Sequence, residues 1–183
     1  QMTKEQFVVT AAQMRDIETR IFAAGMPVAA LMEKVAGLIS QRLQAIISPG
    51  QCVGILAGPG HNGGDALVVA RELHFRGYQV WIYQPFSQLK ELTSQHFQYA
   101  QNLGITCYQE ISQIPNYDFL IDGLFGFGLE RKITDSIATA INYFNSKNQP
   151  IISIDIPSGL HTDTGEVLGT AIQANYTFCL GLW

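Results

Sequence analysis

The sequence has few charged residues and no long apolar segment. Charged residues make up 14% and hydrophobic residues 47% of its 183 residues, a balance that excludes an intrinsically disordered chain. No apolar run reaches the roughly 18 residues that span a bilayer, and no signal-peptide pattern opens the sequence. The 11 basic and 15 acidic residues give a net charge of -4, which argues against nucleic-acid binding by bulk positive charge. We therefore expect a cytoplasmic protein with neither nucleic acid nor membrane as a partner.

Cysteine and metal-binding motifs are also scarce. The three cysteines, Cys52, Cys107 and Cys179, lie in apolar segments, and no C-x-x-C pattern occurs. An odd number of isolated cysteines predicts buried free thiols in a reducing compartment. The four histidines lack the spacing of zinc ligands, so we do not expect a zinc site.

The amino-terminal part predicts two amphipathic helices. The first begins with a capping-box pattern at Thr10 and ends at Gly25, and the second begins with Pro27 as its first residue. The apolar positions of the second helix predict a buried stripe made of Val28, Leu31, Met32, Val35, Leu38 and Ile39.

From residue 52 onward, apolar runs alternate with helix-like stretches. The predicted strands are 53–57, 79–83, 105–108, 119–122, 151–155 and 176–180, and the predicted helices between them are 65–76, 88–103 and 134–146. Buried strands separated by helices are typical of a mostly parallel, doubly wound α/β sheet covered on both faces. We expect one domain over residues 1–183, truncated at its carboxyl end because the sequence stops directly after a strand.

A glycine-rich turn follows the first predicted strand. It reads Gly58-Pro59-Gly60-His61-Asn62-Gly63, a G-x-G-x-x-G pattern between a strand and a helix, and continues into Gly64-Asp65. Such a turn lets the backbone approach a phosphate at a helix amino terminus. Gln84 stands where an oxidoreductase of this type carries a ribose-binding acid, and a P-loop is excluded because no Gly-Lys-Ser/Thr follows. The alternatives are glycines needed only for packing and an Asp65 that only caps the helix within its first turn.

Polar residues also follow the fourth and fifth predicted strands. Asp122 ends the fourth strand, and Asp155 and Ser158 follow the fifth. In the strand order 3-2-1-4-5, the carboxyl ends of strands 1, 4 and 5 meet at the switch point where ligands bind, and Asn62 and Asp65 would join them there. Their oxygens suit a hard cation, and a carboxylate near another acid can have a raised pKa useful in acid–base chemistry. The alternative is that Asp122 and Asp155 only cap neighbouring loops.

A second candidate phosphate-binding loop follows Asp122. It comprises Gly126, Phe127, Gly128, Leu129, Glu130, Arg131 and Lys132. The glycines allow close approach, and the two basic residues could neutralise a phosphate. The alternative for these two charges is simple solvation at the surface.

Three ordered motifs together resemble one known family. The segment from Ala57 to Asp65, the segment Asp122-Gly123-Leu124-Phe125-Gly126-Phe127-Gly128-Leu129, and Asp155-Ile156-Pro157-Ser158-Gly159-Leu160 resemble the signatures of the YjeF N-terminal domain, the NAD(P)H-hydrate epimerase family. The resemblance extends over nearly the whole chain. It implies a Rossmann-like three-layer αβα sandwich with two leading helices, usually as a homodimer.

The resemblance also implies an activity and a set of site residues. Members interconvert the R and S epimers of hydrated NADH and NADPH, so that a dehydratase specific for the S form, often fused in the same polypeptide, can repair both. By position, Asn62, Asp122 and Ser158 would bind potassium, and Asp155 would be the catalytic acid–base residue. The hydrated dinucleotide, a substrate rather than a cofactor, would contact His61, Asn62, Gly63, Gly64, Asp65, Asp155 and the seven residues from Gly126 to Lys132. His61 and Ala66 depart from the usual Asn-Asn-Gly-Gly-Asp-Gly of the first motif.

Three other functions compete with the epimerase interpretation. Some relatives of this fold are non-catalytic binding scaffolds, but such a scaffold should have lost the acid or the cation ligands, which this sequence keeps. A nicotinamide-dependent oxidoreductase is disfavoured by Gln84 and by the short chain. A kinase-like or dehydratase activity is disfavoured because an ATP-type loop is missing.

Overall fold

A single six-stranded parallel sheet organises the chain. The computed structural model describes residues 25–125, 135–155, 158–159, 164 and 166–178. The strands are β1 (Cys52–Ala57), β2 (Gln79–Tyr83), β3 (Thr106–Tyr108), β4 (Phe119–Gly123), β5 (Ile151–Ile154) and β6 (Tyr176–Phe178). Their order in the sheet is β3-β2-β1-β4-β5-β6, so the predicted doubly wound arrangement and the 3-2-1-4-5 order are confirmed.

Four helices cover the sheet within the described residues. They are α1 (Val28–Leu43), α2 (His61–Phe75), α3 (Glu91–Asn102) and α4 (Asp135–Ser146), with a short 3₁₀ turn at Ile111–Gln113. The first helix predicted from the sequence lies outside the described residues, although Gly25 has the left-handed φ of +92° that ends a helix well. No helix among the described residues is long and apolar enough to cross a membrane.

The core has two halves because neighbouring strand residues face opposite sides of the sheet. Val53, Ile55 and Ala57 of β1 belong to the half that α1, α2 and α3 cover. Leu56 faces the other half, which α4 covers and which is rich in aromatic residues. Trp81 is packed edge-on against Tyr108 and Tyr117 there, with ring centroids 6.2 and 5.6 Å apart. Strands buried on both faces explain why the sequence shows continuous apolar runs.

Three details of the amino-terminal half differ from the predictions. Leu38 is 43% exposed although it was predicted in the buried stripe, whereas Met32, Val35 and Ile39 are buried as predicted. Pro27 precedes α1 rather than beginning it, because its extended ψ of 139° is not helical. Cys52 and Cys107 are free thiols but only partly buried: Cys52 is the first residue of the otherwise buried β1, and Cys107 lies in β3, which has no fully buried residue. Cys179 lies outside the described residues.

Gly54 in β1 is required by the packing of Trp81. A Cβ at this position would lie 2.3 Å from the indole ring of Trp81, which is itself buried between neighbouring aromatic rings. A side chain at residue 54 therefore forces the indole out of its place. Gly37 in α1 provides the contrast, because a Cβ there would meet nothing within 4 Å.

We expect Gly54→Ala to lower the free energy of unfolding by about 1–3 kcal/mol through overpacking. Gly37→Ala should instead raise it by about 0.5–1 kcal/mol, since alanine is the better residue in a helix interior. Urea denaturation of both variants measures the two changes. A Gly54→Ala protein as stable as the wild type would contradict this description of the sheet.

Candidate functional site

The carboxyl ends of β1, β4 and β5 lie side by side. Leu56 and Ala57 of β1 pair with Asp122 and Gly123 of β4, and Asp122 pairs with Ser153 of β5. Parallel strands in register bring the residues that follow each strand to the same edge. This arrangement brings the glycine-rich turn, Asp122, Asp155 and Ser158 to the same end of the sheet, as the sequence predicted.

Packing explains three glycines of the turn but not the fourth. A Cβ at Gly58 would lie 1.7 Å from the carbonyl oxygen of Leu124, and one at Gly63 would lie 1.9 Å from that of Gly58. A Cβ at Gly64 would lie 2.5 Å from the Met32 side chain. A Cβ at Gly60 would meet nothing within 4 Å, and its φ of -95° suits any residue. Gly60 is therefore the glycine of the turn for which the described residues give no packing reason, and it leaves space for an external group.

Helix α2 begins earlier than predicted. It starts at His61 rather than at residue 65, so that Gly63 and Gly64 are helical and Asp65 lies in the second turn. The prediction of Asp65 in the first turn is wrong because it treated these glycines as helix breakers, whereas close contacts with the turn and with α1 hold them in the helix.

Asp122 is the centre of a buried hydrogen-bond network. Its side chain is 0% exposed, and each carboxylate oxygen accepts two hydrogen bonds. Oδ1 accepts from the Ser158 hydroxyl at 2.5 Å and from the Leu124 backbone N–H at 3.2 Å. Oδ2 accepts from the Ser153 hydroxyl at 2.7 Å and from the Ser158 backbone N–H at 2.8 Å. One carboxylate thus joins β4, β5 and the segment after each of them.

Burial raises the pKa of Asp122, and the four hydrogen bonds act in the opposite direction. The cause is therefore desolvation rather than a neighbouring acid. No cation among the described residues contributes to this shift, so hydrogen bonds alone compensate the carboxylate there. Because the side chain is enclosed and accepts four hydrogen bonds, Asp122 has a structural role at the strand ends, and it caps the loop at Leu124, as one of the alternatives predicted.

Asn62 lies against the same strand end. A Cβ at Gly123 would come 3.2 Å from the backbone oxygen of Asn62, so the first turn of α2 packs directly on the end of β4. Both polar atoms of the Asn62 side chain are buried without a hydrogen-bond partner among the described residues. A buried unsatisfied amide is costly, and one explanation for it is a ligand or ion that the protein is built to bind.

Asp155 directly follows β5 and has an unusual backbone conformation. Its φ is 78°, in the left-handed region that residues other than glycine seldom adopt. Its backbone N–H donates to the carbonyl oxygen of Phe178 at 2.6 Å, which fixes this conformation against β6. Strained positions of this kind cluster at functional sites. Unlike Asp122, Asp155 is only partly buried.

The segment after β2 also reaches the glycine-rich turn. The backbone N–H of Lys90 donates to the carbonyl oxygen of Pro59 at 2.9 Å, and the Thr93 hydroxyl donates to that of Gly60 at 2.8 Å. Burial and the charge of Lys90 both lower the pKa of His61. Neither Lys90 nor Thr93 was predicted, because no motif marks them. The available signal was their place after the second strand, where nucleotide-binding folds carry ribose-contacting residues.

Two further parts of the predicted site are the second phosphate-binding loop and the cation site. The second candidate phosphate-binding loop, from Gly126 to Lys132, lies outside the described residues. Within the described residues, no three histidine, cysteine or acidic side chains are grouped to hold a metal ion. This result does not bear on a cation site with oxygen ligands from Asn62, Asp122 and Ser158, because two of these three residues are neither histidine, cysteine nor acidic.

We expect Asp122→Asn to lower the free energy of unfolding by about 1–3 kcal/mol, the cost of a buried group left without its partner. Each carboxylate oxygen accepts one backbone N–H, so an amide places its NH₂ against either Leu124 or Ser158 in both orientations. Ser153→Ala should cost less, because it removes one hydroxyl donor and opposes no N–H. Thermal and urea denaturation compare the variants, and equal stability of Asp122→Asn and wild type would contradict the network.

Similar proteins agree with this architecture. A "Bifunctional NAD(P)H-hydrate repair enzyme Nnr" of Thermosynechococcus vestitus is 55% identical over 178 residues, 96% of this chain and 35% of the relative. The chain thus spans about a third of the length of such bifunctional relatives. An "NAD(P)H-hydrate epimerase" of Limosilactobacillus reuteri is 33% identical over 93% of this chain and 82% of its own length.

A solved structure and a family profile complete the comparison. The crystal structure of yeast ynu0, YNL200c, superposes with a TM-score of 0.85 over 95% of this chain and 80% of the yeast chain, and at 23% identity it supports the fold alone. The profile of the family described as YjeF-related protein N-terminus matches residues 28–183. The match includes all three strand ends that form the site, and the chain belongs to the YjeF-related protein N-terminus family.

Proposed function

We propose that this protein is an isomerase that interconverts the R and S epimers of hydrated NADH and NADPH in nicotinamide cofactor repair. The observation that carries the proposal is the meeting of a glycine turn open at Gly60 with the strained Asp155 at one sheet edge. A turn of this kind suits a phosphate, and the carboxylate of a half-buried residue at the edge of the site suits proton transfer. The names of the relatives, which include repair enzymes and stand-alone epimerases, support the same substrate.

The two aspartates of the site have different roles in this proposal. Inversion at C6 of the hydrated nicotinamide ring requires a bond to C6 to break and to form again on the opposite face. Expulsion of the hydroxyl as water and opening of the ring at nitrogen both move a proton at the C6 hydroxyl oxygen. Asp155 holds and returns that proton, because it directly follows β5 at the sheet edge and, unlike Asp122, is a half-buried residue. Asp122 instead holds the strand ends in place.

The dinucleotide contacts belong to the proposal as well. We assign them to His61, Asn62, Gly63, Gly64 and Asp65 at the start of α2, to Asp155, and to Gly126, Phe127, Gly128, Leu129, Glu130, Arg131 and Lys132. Helix α2 begins at this turn, and its first backbone N–H groups favour a negatively charged phosphate. The open position at Gly60 leaves room for the backbone to approach such a group.

Potassium fits the oxygen atoms of Asn62, Asp122 and Ser158. The unpartnered Asn62 amide within the described residues provides an oxygen, and the buried Asp122 charge has no compensating cation there. When bound, a potassium ion would supply positive charge to a carboxylate whose charged form is disfavoured by burial. Asn62 and Ser158 would be its other ligands, since the Asn62 backbone packs on the end of β4 and the Ser158 hydroxyl donates to Asp122.

The proposed function also implies a partner enzyme, a cellular location and an oligomeric state. A dehydratase that consumes the S epimer is the expected functional partner, and the bifunctional relatives carry both activities by name. We place the protein in the cytoplasm, where NADH and NADPH are used and become hydrated. A homodimer completes the proposal, and the exposed Leu38 on α1 is a candidate for its interface.

The epimerase activity is tested on hydrated NADH that an S-specific dehydratase has depleted to the R epimer. We expect the wild type to restore NADH absorbance faster than spontaneous epimerisation, and Asp155→Asn to lose about 10²–10⁴-fold in rate, the usual contribution of a general acid–base group. Asparagine has the same shape and tolerates a positive φ, so the fold should persist.

Asp135→Asn is the matched control, because Asp135 also has a positive φ, 59°, and is exposed at the start of α4. It should keep the wild-type rate. A folded wild type that does not accelerate epimerisation would leave a binding scaffold as the better function. Equal rates for wild type and Asp155→Asn would move the proton transfer to another group.

Potassium binding is tested by thermal unfolding in KCl and in choline chloride at equal ionic strength. Because an ion that binds only the folded state stabilises it, we expect a higher Tm in KCl, by about 2–4 °C for each kcal/mol of binding energy. Asn62→Ala should abolish the difference and cost little stability itself, since the amide has no hydrogen bond among the described residues. The same Tm in both salts would contradict the site.

A further inference from the structure

We propose that Lys90 contacts a phosphate group of the dinucleotide and thereby helps to set substrate affinity. The inference rests on the proposed function and extends its binding site to a second helix. Lys90 directly precedes α3, and its side chain is exposed. It adds a full positive charge beside the glycine-rich turn.

The backbone fixes the position of Lys90 relative to the glycine turn. Its N–H donates to the carbonyl oxygen of Pro59 at 2.9 Å, and Thr93, one turn later in α3, donates to that of Gly60 at 2.8 Å. Both bonds attach α3 to the two residues directly before α2. The amino termini of two helices therefore meet at Gly60, the position where a Cβ would touch nothing.

The charges at this point favour an anion. Each helix amino terminus carries partial positive charge, and Lys90 adds a full one. Burial and the charge of Lys90 lower the pKa of His61, and both residues are exposed. Glu91, the first residue of α3, compensates the partial charge of its own helix. The charges that favour an anion here are therefore those of the α2 amino terminus and of Lys90.

The rest of the segment after β2 offers no competing charge. Of the seven residues from Gln84 to Lys90, only Lys90 is charged. Gln84, at the position where dinucleotide-binding folds carry a ribose-contacting acid, is buried, and its Oε1 accepts from the Phe86 N–H at 2.5 Å. Gln84 therefore stabilises the loop by a hydrogen bond within it. Lys90 is the charged residue of this loop beside the turn.

Lys90→Gln tests the inference without disturbing the turn, because the bond to Pro59 uses the backbone N–H. The matched control is Lys147→Gln, which removes the same charge near the end of α4, where the chain returns to the opposite edge of the sheet. We expect Lys90→Gln to raise KM about three- to ten-fold at low salt, with kcat little changed, as for loss of one partly exposed charge-assisted contact. The difference should shrink at high ionic strength.

The two substrates identify the phosphate. A rise in KM for both hydrated NADH and hydrated NADPH supports a contact to the pyrophosphate, and a rise for hydrated NADPH alone supports a contact to its 2′-phosphate. A KM that matches the Lys147→Gln control for both substrates overturns the inference, as does a loss confined to kcat.

Calorimetric binding of NAD⁺ and NADP⁺ separates this inference from the proposed function. If the wild type binds these dinucleotides but has no epimerase activity, the proposed function fails, and weaker binding by Lys90→Gln than by the control still supports the contact. If the wild type is active and both variants bind alike, the inference about Lys90 is wrong and the epimerase function stands. A wild type that binds neither dinucleotide overturns the inference as well.

Discussion

The buried carboxylate of Asp122 is the interaction on which the arrangement of the site depends. A charged group without water must find enough donors, and here the donors come from the Leu124 backbone, from Ser153 and twice from Ser158. These residues lie on β4, on β5 and in the segments after them. Satisfying one carboxylate therefore fixes the ends of two strands relative to each other, and burial keeps that carboxylate out of contact with a substrate.

Close approach of backbone segments is the second constraint, and it separates residues needed for folding from residues available for binding. Gly58 and Gly63 admit the carbonyl groups of Leu124 and Gly58, and neither position has room for a side chain. At Gly60 the described residues leave room for a side chain, although the position is a glycine. In the same way, Asp122 is enclosed, whereas Asp155 is held in a strained conformation at the sheet edge. Each motif thus contains both a structural and an available residue, and sequence patterns do not distinguish them.

The sequence predicted the sheet well because strands buried on both faces leave continuous apolar runs, and the strand order follows from the doubly wound pattern. It predicted the start of α2 four residues too late, because the contacts that make Gly63 and Gly64 helical come from distant parts of the chain. Leu38 was misplaced because helical periodicity does not tell how wide the covered face of α1 is. Lys90 could not be predicted, since its relation to the turn depends on a backbone hydrogen bond to Pro59.

A crystal structure of the protein with hydrated NADPH bound in the presence of KCl tests most directly whether the ends of β1, β4 and β5 form the epimerase site. We expect the dinucleotide phosphates beside Gly60, the C6 hydroxyl of the hydrated ring at the carboxylate of Asp155, and Asp122 still enclosed at the end of β4. A ring bound away from Asp155, or a dinucleotide at another edge of the sheet, would show that the site lies elsewhere.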